Sequence, residues 1–178
     1  MPAAEQGVAV SSKRYHVVPR VLCFVYAGDD VLLLLGAPDK KIWPGAYNGL
    51  GGHIERGESV QAAAEREIWE EAGLRVTGLR LRGVVTINTG EPAGIALFVF
   101  TATAASRDTV ASHEGTLEWV PLAEVPRCPC VSDVPVLLAR LATEPPNAPP
   151  FSAAYSYDAA GKLQIEFSGQ NPQTAQSG

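Results

Sequence analysis

The chain has few cysteines, no excess of basic charge and no long apolar run. Its 178 residues include three cysteines, Cys23, Cys128 and Cys130. So small and odd a number is no disulfide framework, and reduced thiols are the default. Cys128-Pro129-Cys130 sets two of them close together, yet an isolated pair lacks the second half of a zinc site. The longest apolar run, VLLLL at Val31 to Leu35, is far too short to span a bilayer. The opening stretch, MPAAEQGVAVSSKRYHVVPR, has no continuous apolar segment of the kind a signal peptide needs. A soluble, cytoplasmic protein without a membrane partner is the expectation. With a formal net charge of −5, no basic surface recommends the chain for nucleic acid. A small anionic ligand would need local help, from a metal or from a few placed arginines and lysines.

What is present suits one domain, since 46% of the residues are hydrophobic and the length can bury a sizeable core. Residues 1–14 are small and polar and are expected to be disordered. Val17 to Tyr26 and Val31 to Leu35 are β-rich runs around AGDD, which predicts a hairpin. Gly36 to Asn48 reads as a loop, broken by Pro38, Pro44 and Gly45. From Ser59 to Ala72 the chain is rich in Ala, Glu and Arg and lacks Pro and Gly, which predicts a helix. Ser59 stands where an N-cap belongs and Gly73 where a left-handed C-terminal residue belongs. Strands are expected over Arg75 to Asn88, Ile95 to Ala104 and Thr116 to Leu122, and a second helix over Asp133 to Ala142. EPPNAPP, residues 144–150, is a connector, and the alternation in FSAAYSYDAAGKLQIEF predicts a terminal hairpin laid on the main domain. Residues 168–178 are expected to be disordered. The order of strands and helices suggests an α/β class, with helices on a mixed sheet, over a main domain spanning 15–143 and a connector-hairpin unit over 144–167.

The first helix poses a physical question. Glu55, Glu58, Glu65, Glu67, Glu70 and Glu71 fall within Gly51 to Leu74, against only Arg56 and Arg66. On a helix, Glu67, Glu70 and Glu71 share a stripe roughly 100° wide. Like charges at that spacing destabilise a bare helix by a few tenths of a kcal/mol per pair. A hard divalent cation reverses that sign, since Mg²⁺ takes oxygen ligands and is completed by substrate phosphates. A merely solvated acidic face is the other reading of EREIWEE taken alone.

The flanking residues decide between them. Gly52, Glu58, Arg66, Glu67, Ile68, Glu70, Glu71, Gly73 and Leu74 fit G-x5-E-x7-R-E-U-x-E-E-x-G-U without departure, U being a bulky apolar residue. At average residue frequencies the chance of that match is roughly 10⁻¹⁰ per starting position. This 23-residue pattern is the Nudix box, and the chain resembles the Nudix hydrolase superfamily from about Val17 to Ala142. The resemblance implies the Nudix fold, an α/β/α sandwich with a mixed sheet, and hydrolysis of a nucleoside diphosphate linked to another group. It implies Glu67, Glu70 and Glu71 as ligands of catalytic Mg²⁺, for which Mn²⁺ can substitute, with the Gly51 carbonyl added. It also implies that Arg66 braces a glutamate, that Glu58 supports the ligands, and that Gly52 and Gly73 shape the box. The base that takes the proton from water is Glu70 or Glu114, and Glu114 is otherwise a further ligand or, like neighbouring His113, a plain loop residue. His53 and His16 are expected to be structural.

YNGLGGHIERGES, Tyr47 to Ser59, is similar to the approach to the box in MutT-like enzymes that clear oxidised nucleoside triphosphates such as 8-oxo-dGTP. That branch implies a purine contact for Asn48, whose other role is a turn residue ahead of Gly49. It implies base reading by Asp133, whose other role is N-cap of the second helix. Trp43 either stacks on a base or closes its loop against the core. Relatives that hydrolyse ADP-ribose carry a proline about sixteen residues past the box. Here Thr89 and Gly90 stand there, and Pro92 comes later. The expected partner is a small nucleotide. The terminal hairpin covers its pocket, supports a homodimer or does neither. An intact box favours catalysis over a Nudix-fold sensor that binds without cleaving.

Overall fold

A computed structural model describes residues 14–39, 42–112 and 114–169. The expected disorder of 1–14 and 168–178 therefore falls almost wholly outside the described residues. The elements are β1 (His16–Ala27), β2 (Asp30–Gly36), β3 (Tyr47–Asn48), α1 (Val60–Ala72), β4 (Val76–Ile87) and β5 (Ala93–Ala104). They continue with β6 (Gly115–Pro121), a short 3-10 turn at Val125–Arg127, α2 (Val134–Thr143), β7 (Phe151–Tyr157) and β8 (Leu163–Phe167). The expected elements are present, with two additions, the 3-10 turn and β3. The two-residue β3 lies in what reads as pure loop, because Tyr47 and Asn48 pair with Leu35 and Leu34 of β2.

The described strands form one mixed sheet in the order β3-β2-β1-β5-β4-β7-β8, with β6 also paired to β2. β1 runs parallel to β5, and β4 runs parallel to β7. The other pairs are antiparallel. Strand alternation sends successive side chains of β1 to opposite faces, each covered by one helix. Val21, Cys23 and Val25 join Leu32, Leu50 and the Ala63, Ala64, Ile68 and Ala72 face of α1. Leu22 and Phe24 join Leu33, Val85, Val99 and the Val134, Leu137, Leu138 and Leu141 face of α2. The result is an α/β/α sandwich with two separate cores. Among the described residues no helix is long and apolar enough to cross a membrane.

β1 and β2 pair only near their turn, at Val25–Leu32, Tyr26–Val31 and Ala27–Asp30. Beyond it they part, and the glycine-rich approach to α1 fills the gap. Cys23 N–H donates to the Leu50 carbonyl at 2.7 Å and Val21 N–H to the Gly52 carbonyl at 2.9 Å. Ile54 N–H then donates to the Pro19 carbonyl at 3.1 Å. Gly51 has φ 150°, and a Cβ there would run into the Val21 carbonyl oxygen. The loop that carries the box is thus stitched into the sheet, and only glycine allows the approach.

The C-terminal hairpin does more than lie on the domain. β7 adds to β4 over Gly83–Phe151 to Ile87–Tyr155 and so extends the central sheet, with β8 at its edge.

Candidate active site

α1 is held at both ends in the way its sequence predicts. The Ser59 hydroxyl accepts from Ala62 N–H at 3.1 Å, and Gly73 is left-handed at φ 67° with its N–H on the Trp69 carbonyl. Ala63, Ala64, Ile68 and Ala72 face the sheet, Glu71 and Glu67 lie against Gly51 and Gly52, and Glu70 is exposed.

Arg66 organises that stripe. Its Nε and Nη2 bond both oxygens of Glu58 at 2.9 and 3.0 Å, while Nη1 bonds Glu67 at 2.9 Å and Glu70 at 3.0 Å. Nη2 also donates to the His53 carbonyl at 3.0 Å, which ties the helix to its approach loop. A fork of this kind suits guanidinium and no other cation. Arg66 and the Glu55 N–H hold the Glu58 carboxyl below its ordinary range. Where one glutamate partner is expected for Arg66, three are found.

Glu71 is 8% exposed, and its Oε2 accepts from Gly51 N–H at 2.9 Å. Leu50 and Gly52 turn their carbonyls to β1, so alternation turns the Gly51 carbonyl away from β1 on the side of its own N–H. Glu67 fits only because Gly52 lacks a side chain: a Cβ there would lie 2.7 Å from the Glu67 carboxyl carbon. Burial lifts the Glu67 carboxyl above its ordinary value. The hydrogen bond from Arg66 opposes that shift, and the charges on Glu70 and Glu114 add to it. Glu114, from the loop ahead of β6, thus acts electrostatically on the helix stripe.

Beside the stripe lies a cavity of about 420 Å³. Gly51, Gly52, Glu71 and Glu114 line it, together with Asn48, Trp43 and Asp133. Seven residues singled out from sequence therefore line one cavity. Glu67 stands behind Gly52, while Glu70 is largely exposed and tied to Arg66. Among the described residues no three carboxylates, thiols or imidazoles converge on one point. The cause is local, since Glu67 and Glu70 turn to Arg66 and Glu71 turns to Gly51.

At the other residues the structure sorts the alternatives. The Asn48 side-chain oxygen accepts from Gly49 N–H at 2.9 Å, so the turn role is filled, while the residue also lines the cavity. Asp133 occupies the N-cap position of α2 but has αR backbone angles and makes no side-chain capping bond. It lines the cavity, where burial pushes its carboxyl above the ordinary range against the opposing pull of the Asp133 and Val134 backbone N–H groups. Trp43 has φ 52°, unusual for a residue with a side chain, and is half exposed at the cavity rim. His53 also lines the cavity, where a purely structural role is expected from sequence. His113 lies outside the described residues. The three cysteines are free thiols; Cys128 and Cys130 donate to the Glu124 and Val125 carbonyls.

Arg20 is the residue that sequence reading passes over. It lines the cavity, and its Nε is buried without a hydrogen-bond partner. Its signal is the single charge within VVPRVLCFVY.

The NUDIX domain family model matches residues 16–140. The chain belongs to the NUDIX family. Among curated Nudix relatives it is 30% identical over 95 residues to the oxidized purine nucleoside triphosphate hydrolase of Mus musculus, spanning 53% of this chain and 61% of that protein. It is 30% identical over 108 residues to the Danio rerio protein of the same name, spanning 60% of this chain and 69% of that one. Of solved Nudix structures, the MutT protein of Bacillus halodurans superposes with TM-score 0.73 at 24% identity, covering 87% of this chain and all of that one. Nudix proteins generally use divalent metal cations, and the donors here fit one. They are hard oxygens, they repel one another, and the buried Glu71 stands at the cavity wall.

Proposed function

We propose that this protein hydrolyses the diphosphate linkage of nucleoside triphosphates, oxidised purine deoxynucleotides such as 8-oxo-dGTP foremost, releasing the nucleoside monophosphate and pyrophosphate. The observation that carries the reading is the shared cavity. The acidic wall of Glu71 and Glu114 and the polar groups of Asn48 and Asp133 line one space of about 420 Å³, within the range of small-ligand sites. The names of the mouse and zebrafish relatives point the same way.

Glu67, Glu70, Glu71 and the Gly51 carbonyl would hold the divalent cation, and their hard oxygens favour Mg²⁺, with Mn²⁺ as a substitute. When bound, such an ion offsets phosphate charge, lines up the attack and makes water a better nucleophile. Arg66 keeps the stripe in place, and Arg20 offers its guanidinium to a phosphate oxygen. Glu114 takes the proton from water, because it lines the cavity, whereas Glu70 is exposed and held by Arg66. At the base, Asn48 supplies amide donors and Asp133 a carboxyl whose hold on its proton burial strengthens. Trp43 offers a ring to stack against it.

A panel with Mg²⁺ tests this directly, comparing 8-oxo-dGTP, dGTP, ADP-ribose, a diadenosine polyphosphate and a nucleotide sugar. The expected result is the highest kcat/KM for 8-oxo-dGTP. A higher value for ADP-ribose overturns the substrate, and no turnover of any member overturns the activity.

A further inference from the structure

A row of side chains that begins at the cavity wall runs on into the C-terminal hairpin. Ile95 and Ile87 both line the cavity and stand opposite each other across β5 and β4. Ile87 in turn stands opposite Tyr155 across the parallel pair of β4 and β7. Neighbouring strands lie about 4.8 Å apart, and paired residues point to the same face. Ile95, Ile87 and Tyr155 are therefore one row of side chains, all in the core shared with α2. Asp133, at the start of α2, lines the same cavity as Ile87 and Ile95, and its neighbour Val134 shares the core cluster of Tyr155.

Tyr155 is 2% exposed, and its hydroxyl is buried without a hydrogen-bond partner. A buried orphan hydroxyl is costly, and phenylalanine would fill the same volume without that cost. The oxygen calls for a partner close at hand. Asp133 is a polar group of the cavity that Ile87, the strand neighbour of Tyr155, also lines, and it makes no side-chain capping bond to α2.

We propose that Tyr155 is a positioning residue for base recognition: when a purine is seated, its hydroxyl pairs with the Asp133 carboxyl and fixes the orientation in which that carboxyl meets the base. This assignment rests on the reading above that Asp133 faces the base, and it adds a group from outside the family match, which ends at residue 140. Two oxygens on Asp133 allow the division of labour, one toward Tyr155 and one toward the ligand. The hairpin thereby becomes part of the selectivity of the site, although it contributes nothing to the acidic wall.

Tyr155→Phe removes the oxygen and leaves the ring in the core. The expected result is a KM for purine nucleoside triphosphates raised about fivefold to tenfold, with kcat within about twofold. The KM for pyrimidine triphosphates should stay put, so the purine preference narrows. Melting of the empty protein should hold or rise, because no bond is lost there, while the stabilisation given by a non-hydrolysable purine triphosphate shrinks. In a double-mutant cycle, Tyr155→Phe should add nothing to Asp133→Ala. An unchanged purine KM, or full additivity with Asp133→Ala, overturns the role of Tyr155 alone. Unchanged purine preference in Asp133→Ala overturns the base-end reading, and the role of Tyr155 with it.

Discussion

Gly52 shows how one missing side chain can serve a site. The Glu67 carboxylate occupies the space a methyl group would take, and Arg66 pins it there. Gly52→Ala should push that carboxylate aside while the loop, stitched to β1 through backbone bonds, stays in place. We expect kcat to fall at least about tenfold with Tm changed by only a few degrees, read from turnover and thermal melts of the same preparation. A large Tm loss with normal turnover would contradict it. Glu71→Gln makes a sharper test of charge, since an amide oxygen still accepts from Gly51 N–H. Most turnover should vanish while the fold remains, and normal hydrolysis by that variant would remove Glu71 from the proposed ligands. The pattern Gly52 to Leu74 made these residues legible, because spacing on a helix is fixed by geometry. Arg20 was not legible, because nothing local marks which strand residue faces a cavity built by distant loops. For Asp133 the sequence offered base contact and helix capping side by side, and no side-chain capping bond forms.

At the scale of the element, α1 carries two electrostatic effects of opposite sign. Glu58 is held below its ordinary carboxylate value by Arg66. A depressed carboxyl stabilises the fold fully above its ordinary value near 4.5, and that stability is lost as pH falls through the lower folded value. Glu58→Gln should therefore melt below the wild type at neutral pH, with the gap closing below about pH 4. A gap of constant size across pH would show that the pair contributes packing alone. Glu67 is raised by burial, so its contribution is present at low pH and lost as pH rises through its folded value. That penalty is what a divalent cation would remove. Strand and helix periods disclosed nearly all of these elements, and the α1 caps fell where Ser59 and Gly73 predict. β3 escaped notice, since two residues are too few to show a period.

The whole molecule depends on a segment beyond the family match, and long-range pairing explains why. The alternating sequence of β7 and β8 announces a hairpin, but its partner strand is nowhere encoded locally, because a parallel neighbour is reached only through a long crossover. Here the chain passes through β5, β6, α2 and the proline-rich connector before β7 returns beside β4. Arg80 donates to the Pro146 carbonyl and Asn147, and Arg82 to the Pro145 carbonyl. Arg140 bonds Glu144 at 2.6 Å and lies over the rings of Phe151 and Phe167. The Phe151 ring rests on Gly83, where any Cβ would collide with it. Ending the chain after Thr143 would strip Phe151, Ala153 and Tyr155 from the α2 core and leave Gly83 to Ile87 without their β7 partners. The two aromatic side chains alone account for about 3–6 kcal/mol of burial, a large part of a typical domain's stability of roughly 5–15 kcal/mol. At about 2–4 °C per kcal/mol for a chain of this size, Tm should drop by about 10 °C or more, if the product stays soluble at all. An exposed edge on β4 adds the risk of aggregation. Size-exclusion chromatography and thermal melts of the chain ending at Thr143 check this. A soluble product melting with the wild type would show that the hairpin is an ornament on the fold, with no bearing on how Asp133 is held.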